Sequence, residues 1–288
     1  MGDALIWQGS EDFITSTGHQ ILSRTSFKSF TFPKIRREDV IILNGGGSFG
    51  DIWRIIMDFF LKVIQTYPEN RILLFPQSVF YENPTLMADD AKILAKHKDL
   101  HLIARDTYSF EIFSKNFPAN NVYLAPDMAF AINPERLKKW YTFSGKDNMT
   151  LYLRRIDKEW VNETEISLPE AVTSDWPTIS SPTFFERIYN AAVQRSMYHL
   201  PHNLLINATY WKALDWSARK LILKKYLERA SSFLAPFYQI ITTRLHVLIL
   251  GVLLEKNIEY IDNSSKKLSA FVDTWLSDFS NISHYEPA

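Results

Sequence analysis

From residue 40 onward the chain alternates short, unbroken apolar runs with longer segments in which apolar residues recur every three or four positions. The first pattern fits strands buried on both faces, as in a parallel sheet, and the second fits amphipathic helices. Strands are expected at residues 40–43, 71–75, 100–104 and 121–124, with helices at 52–67, 84–96 and 107–116 between them. Further strands are expected at 150–153, 237–241 and 258–261, and further helices at 184–198, 216–234, 243–256 and 266–277. This rhythm predicts an α/β fold whose parallel sheets are flanked by helices. A polar stretch at 133–148 reads as a linker, so two Rossmann-like lobes are expected, 1–140 and 141–288. A second stretch, 162–182, carries three prolines and reads as a long loop. The chain opens on Gly2-Asp3 and a helical pattern with no strand ahead of it, which suggests a late start relative to a longer form.

Composition narrows the function classes. Hydrophobic residues make up 46% and charged residues 22% of the 288, enough for a large core. The 32 Lys and Arg balance the 32 Asp and Glu, so the cationic excess that nucleic-acid binding requires is missing. Without cysteine there is no disulfide or thiolate chemistry, and zinc could be held only by His and carboxylates. His199 and His202 have H-x-x-H spacing, but Pro201 interrupts it, so no metal site is expected. There is no apolar run of about 18 residues and no secretory pattern at the start, and a cytoplasmic location is expected.

The loudest local signal is NGGGSFGDIW, Asn44 to Trp53. Gly45, Gly47 and Gly50 fit G-x-G-x-x-G between an expected strand and an expected helix, a layout that can cradle a phosphate. A dinucleotide site also needs an acidic residue after the next strand. Pro76-Gln77-Ser78 stands there instead, and no P-loop lysine follows. The glycines then mark either an anion cradle or a tight turn before a helix capped by Asp51.

Ligands of open α/β sheets bind at the C-terminal ends of the strands. Those ends carry Asn44 and the glycines, Gln77 and Ser78, Arg105 and Asp106, Asp127, Arg154 and Arg155, and finally Thr243, Arg244 and His246. Such an edge is rich in Arg and His in a neutral chain, which points to a small anionic ligand. Arg244 and His246 begin an otherwise apolar helix, where basic charge opposes the macrodipole; a bound anion would offset that cost. The aromatic stretch 210–216 could belong to the core or to a sugar-stacking surface.

In order along the chain, Gly2-Asp3, Gly45-Gly46-Gly47, Phe49-Gly50-Asp51, Pro76-Gln77-Ser78, Arg105-Asp106 with Ser109, Pro126-Asp127, Arg155-x-Asp157-x-Glu159 and Thr243-Arg244-Leu245-His246 resemble the polysaccharide pyruvyl transferase family. The resemblance implies a two-lobed GT-B-like fold with the acceptor on the N-terminal lobe and the donor on the C-terminal lobe. It implies transfer of a pyruvyl group from phosphoenolpyruvate to a surface-polysaccharide sugar as a ketal, with no further cofactor. By the same resemblance His246 is the acid–base group and Arg155 and Arg244 are anion clamps. Leu245, Gly46, Gly47, Asp51, Gln77, Ser78, Arg105 and Asp127 are then the remaining substrate-binding positions, and association with membrane-bound glycan assembly machinery is expected. Two other classes stay open: a glycosyltransferase using a nucleotide sugar, and a non-catalytic carbohydrate-binding or assembly protein.

Overall fold

The computed structural model describes residues 1–140, 149–155, 168, 170–199, 204–262 and 267–286. Helix α1 (Gly2–Ser16) opens the chain, followed by β1 (Ile41–Leu43), β2 (Gly46–Gly50), α2 (Arg54–Thr66), β3 (Ile72–Phe80), α3 (Pro84–Leu94), β4 (Leu100–Ala104), α4 (Thr107–Asn116) and β5 (Asn121–Leu124). These five strands form one parallel sheet. β1 and β2 lie end to end along one side of β3, and β4 then β5 lie on the other.

A 3-10 turn (Met128–Ala131) and α5 (Pro134–Trp140) lead to a second parallel sheet. Its elements are β6 (Thr150–Leu153), β7 (Val172–Ser174), α6 (Pro177–Ser180), α7 (Phe184–His199), α8 (Leu204–Ser217), α9 (Leu223–Leu234), β8 (Gln239–Thr242), α10 (Leu245–Leu253), β9 (Asn257–Tyr260), α11 (Lys267–Trp275) and β10 (Ile282–His284). The spatial order is β7-β6-β8-β9-β10. Counted from β6 this is the doubly wound order 2-1-3-4-5, whose direction reverses between β6 and β8.

The helices form because their apolar residues share a face. Met57, Phe60, Leu61 and Ile64 line α2 at spacings of three and four and pack on Leu74, Leu102, Phe113 and Phe117 of the first core. Asn83 caps α3 by accepting from the N–H groups of Thr85 and Leu86, with Pro84 in the first turn. Helix α10 is apolar on nearly every side and is buried in the second core with Leu151, Leu153, Ile240 and Phe271.

Helix α1 serves the second core and a third, smaller cluster on the first sheet. Leu5 belongs to the second core, while its neighbour Ile6 packs with Phe75 and Met128. At Gly9 the helix meets backbone directly, since a Cβ there would lie 1.7 Å from the Met128 carbonyl oxygen. Ala129, Ile132 and Leu137 also join the second core, although they precede its first strand.

Five expectations change. The glycine stretch is a strand rather than a turn: β2 runs alongside the second half of β3 so closely that a Cβ on Gly50, at φ +131°, would sit 1.7 Å from the Phe80 carbonyl oxygen. The strand expected at 71–75 continues to Phe80, because Pro76, which has no N–H to offer, falls in a register shift between Leu74 and Gln77. Asp51 does not cap α2, which begins at Arg54 without a side-chain cap; its carboxylate accepts from the N–H groups of Glu82 and Asn83, both at 2.8 Å. The expected linker begins with α5, and the expected loop at 162–182 holds β7 and α6. Residues 141–148, most of 156–169 and the His202 position lie outside the described residues.

Gly50→Ala separates β2 from β3, because the clash is with a backbone carbonyl. Gly18, at φ +78° with open space around it, is the control: its alanine variant costs about 1–2 kcal/mol for the left-handed conformation alone. Urea unfolding should give Gly50→Ala the clearly larger loss, and equal losses would refute the packing account.

Candidate active site

The site grows from the C-terminal end of the first sheet. Arg105, one residue past β4, is buried, so its charge needs fixed partners. Its Nη1 donates to Asp127 Oδ2 at 2.8 Å and its Nε donates to Ser78 Oγ at 2.8 Å. Ser78 in turn donates to Asp106 Oδ2 at 2.8 Å, and Asp106 caps α4 by accepting from Ser109 N–H. Ser109 Oγ accepts from Val79 N–H, closing the network on β3. Gln77 is fully buried one strand over; it donates to the Asn44 carbonyl at 2.7 Å and accepts from Ser48 N–H at 3.3 Å.

Asp127 is the end of this chain of contacts. It caps the 3-10 turn through Ala129 N–H, and its Oδ2 lies 3.7 Å from His246 Nε2. At that distance the pair is an electrostatic contact rather than a hydrogen bond. Burial works against the Asp127 charge, but His246, Arg105 and the Ala129 N–H outweigh it and hold the carboxyl well below the usual carboxylate range.

His246 comes from the other lobe, in the first turn of α10. Arg244 is the residue before that helix, and its Nε and Nη2 form a bidentate pair with Asp175, each contact 2.6 Å. Asp175 lies immediately after β7 and also accepts from Trp176 N–H at 2.7 Å. The charge that a bound anion was expected to offset at the start of α10 is therefore met by a carboxylate of the chain. Thr243 Oγ1 accepts from Arg155 N–H at 3.0 Å, which joins the end of β6 to the end of β8.

The structure thus sets the backbone positions of Arg155, Arg244 and His246 at the C-terminal ends of the adjacent strands β6 and β8, where the strand order of the second sheet reverses. It sets Asp127 against His246 and links Asp127 through Arg105 to Ser78, while the Gln77 side chain is engaged on Asn44 and Ser48. Leu245 is buried in the second core. Gly46 lies in β2 beside Ile6, and a Cβ on Gly47 would come 3.5 Å from Arg105 Nη2. Of the aromatic stretch, Trp211 is buried and Trp216 exposed. Asp175 was missed because the stretch around it reads as loop and carries no periodic signal. Among the described residues no group of three His, Asp or Glu side chains is placed to hold a metal.

Residues 1–265 match the polysaccharide pyruvyl transferase family, and the chain belongs to it. It is an enzyme of that class. EpsO of Bacillus subtilis, provisionally named a pyruvyl transferase, is 30% identical over 283 residues, covering 96% of this chain and 82% of EpsO. Pyruvyl transferase 1 of Schizosaccharomyces pombe is 26% identical over 259 residues, covering 88% of this chain and 59% of that protein. The crystal structure of a functionally uncharacterised Klebsiella pneumoniae protein superposes with a TM-score of 0.63 at 17% identity, over 99% of this chain and 88% of that one, which shows a shared fold.

The lowered Asp127 pKa has a pH signature. A depressed carboxylate contributes stability above its unfolded pKa of about 3.9 and loses it as pH falls through the folded value. Asp127→Asn should cost about 3–5 kcal/mol at neutral pH, because Arg105 is left buried without its countercharge. The gap between wild type and variant should narrow as pH falls below about 4. Urea midpoints across that range check it; a gap independent of pH would contradict the assignment.

Proposed function

We propose that this enzyme moves the pyruvyl group of phosphoenolpyruvate onto a sugar of a surface polysaccharide or its precursor, forming a pyruvate ketal. What supports the reading is the position of Arg155, Arg244 and His246 in the chain just past the C-terminal ends of β6 and β8, the adjacent strands of the doubly wound sheet. A crevice of that kind is where such sheets take ligands. Phosphoenolpyruvate presents a carboxylate and a phosphate, both suited to guanidinium groups. Asp175 holds the plane of Arg244, which keeps that cation in one orientation.

In the reaction a proton reaches the methylene carbon, which becomes the ketal methyl group. Two sugar hydroxyls add to the adjacent carbon and lose their protons, and the carbon–oxygen bond to phosphate breaks. His246 supplies and recovers protons, the task that imidazole side chains most often take in acid–base catalysis. In this reading the lobes adopt a GT-B arrangement, residues 1–140 serving the acceptor and 141–288 the donor. Gly46, Gly47 and Asp51 shape the acceptor side, Leu245 packs under the donor, and no cofactor is used. No helix among the described residues is long and apolar enough to cross a membrane. We place the enzyme in the cytoplasm, next to membrane-bound glycan assembly machinery.

Phosphoenolpyruvate should raise the thermal midpoint, and with an acceptor glycan it should release phosphate. His246→Gln should lower that rate by about 10²–10⁴-fold. The alternative, a nucleotide-sugar glycosyltransferase, wins if UDP or GDP sugars raise the midpoint while phosphoenolpyruvate does not.

A further inference from the structure

The two nitrogens of the His246 ring sit in different surroundings. Nε2 is buried, 3.7 Å from the Asp127 carboxylate, and makes no hydrogen bond among the described residues. The side chain as a whole is 19% exposed, so its accessible surface belongs to other atoms of the ring. Nδ1 faces Gly2: a Cβ there would stand 2.5 Å from Nδ1 and 3.0 Å from Cγ. Any side chain at position 2 would press on the ring where it is not braced by the core. The ring is thus held between a carboxylate carried by the first lobe and a helix start that offers no side chain.

A buried carboxylate facing one ring nitrogen favours a proton on that nitrogen, which fixes the tautomer of the neutral ring. Asp127 is itself held by Arg105 Nη1 at 2.8 Å and Ala129 N–H at 2.9 Å, so it cannot turn away without leaving buried donors unpaired. We propose that Asp127 and Gly2 are positioning residues for His246, Asp127 holding the proton on Nε2 and Gly2 leaving room at Nδ1, so that Nδ1 is the nitrogen that exchanges protons with substrate. This rests on His246 being the acid–base group. When Nδ1 gives its proton to the methylene carbon of phosphoenolpyruvate the ring becomes neutral, with Nε2–H still facing Asp127. A first sugar hydroxyl then returns a proton to Nδ1 as it adds to the neighbouring carbon, so the ring is again doubly protonated, and the second hydroxyl displaces phosphate, which leaves with that hydroxyl's proton.

The test reads the ring directly. Nitrogen-15 histidine spectra of the full chain, with His246 assigned from its loss in His246→Gln, report which nitrogen is protonated when the ring is neutral. Nε2–H is expected in wild type, and a shift toward Nδ1–H in Asp127→Asn. A wild-type ring protonated on Nδ1, or an Asp127→Asn ring with an unchanged tautomer, overturns the proposal. Gly2→Ala covers the case in which Asp127→Asn fails to fold, because alanine favours helix at that position. It should shift the His246 Nδ1 resonance and, with phosphoenolpyruvate and a panel of p-nitrophenyl glycosides, lower kcat by about ten- to a hundredfold with little change in the KM for phosphoenolpyruvate. An unchanged Nδ1 resonance and kcat in Gly2→Ala also overturn it. If wild type releases no phosphate from phosphoenolpyruvate, the donor assignment fails, and the tautomer spectra still decide the positioning claim.

Discussion

A carboxylate with almost no access to water sets the terms for the rest of the molecule. Asp127 is charged and fully enclosed, so it persists only if a countercharge and hydrogen-bond donors stand against it. Arg105 supplies the countercharge from the end of β4, Ala129 N–H donates to it, and the His246 ring faces it from the start of α10. Each requirement propagates. Arg105 needs Ser78, Ser78 needs Asp106, and Asp106 finds its second use as the cap of α4. The short polar motifs scattered over some thirty residues at the ends of β3 and β4 become one connected scaffold. Trp275 Nε1 donates to the Arg105 carbonyl at 2.8 Å, so the second lobe grips the same scaffold from another direction.

The second lobe repeats the logic with different residues. Arg244 at the start of α10 is an awkward place for positive charge, and Asp175 makes it tenable. The pair joins the ends of β7 and β8 through side chains, as Thr243 and Arg155 join β6 to β8 through a backbone N–H. The ends of β6, β7 and β8 are therefore tied to one another where charge is concentrated.

Much of the architecture was legible because it depends on local pattern. β4, β5 and β6 fall at the expected boundaries, since short, mainly apolar runs between helical patterns fit few elements other than the strands of a parallel sheet. The glycine stretch was misleading for a physical reason: residues without a Cβ are needed equally by a phosphate cradle, a tight turn and a strand pressed against a neighbour's carbonyl oxygens. Only the position of Phe80, thirty residues away, separates these cases. For the site, sequence could rank Arg105, Asp127, Arg244 and His246 as polar residues at strand ends, but not which way each turns. That depends on burial. Asp175 had no signal because its partner is sixty-nine positions away.

Helix α1 carries a last consequence, for the order in which the molecule can be made. Leu5 packs in a core completed by Leu248, Ile258 and Phe271, and Gly2 rests on His246. Helix α1 therefore finds its permanent surroundings only after residues as distant as Phe271 have been synthesised. Contacts of such long sequence separation are slow to form, and until they do its apolar face is exposed. A helix seated on partners so far along the chain ties the completion of one sheet's packing to that of the other.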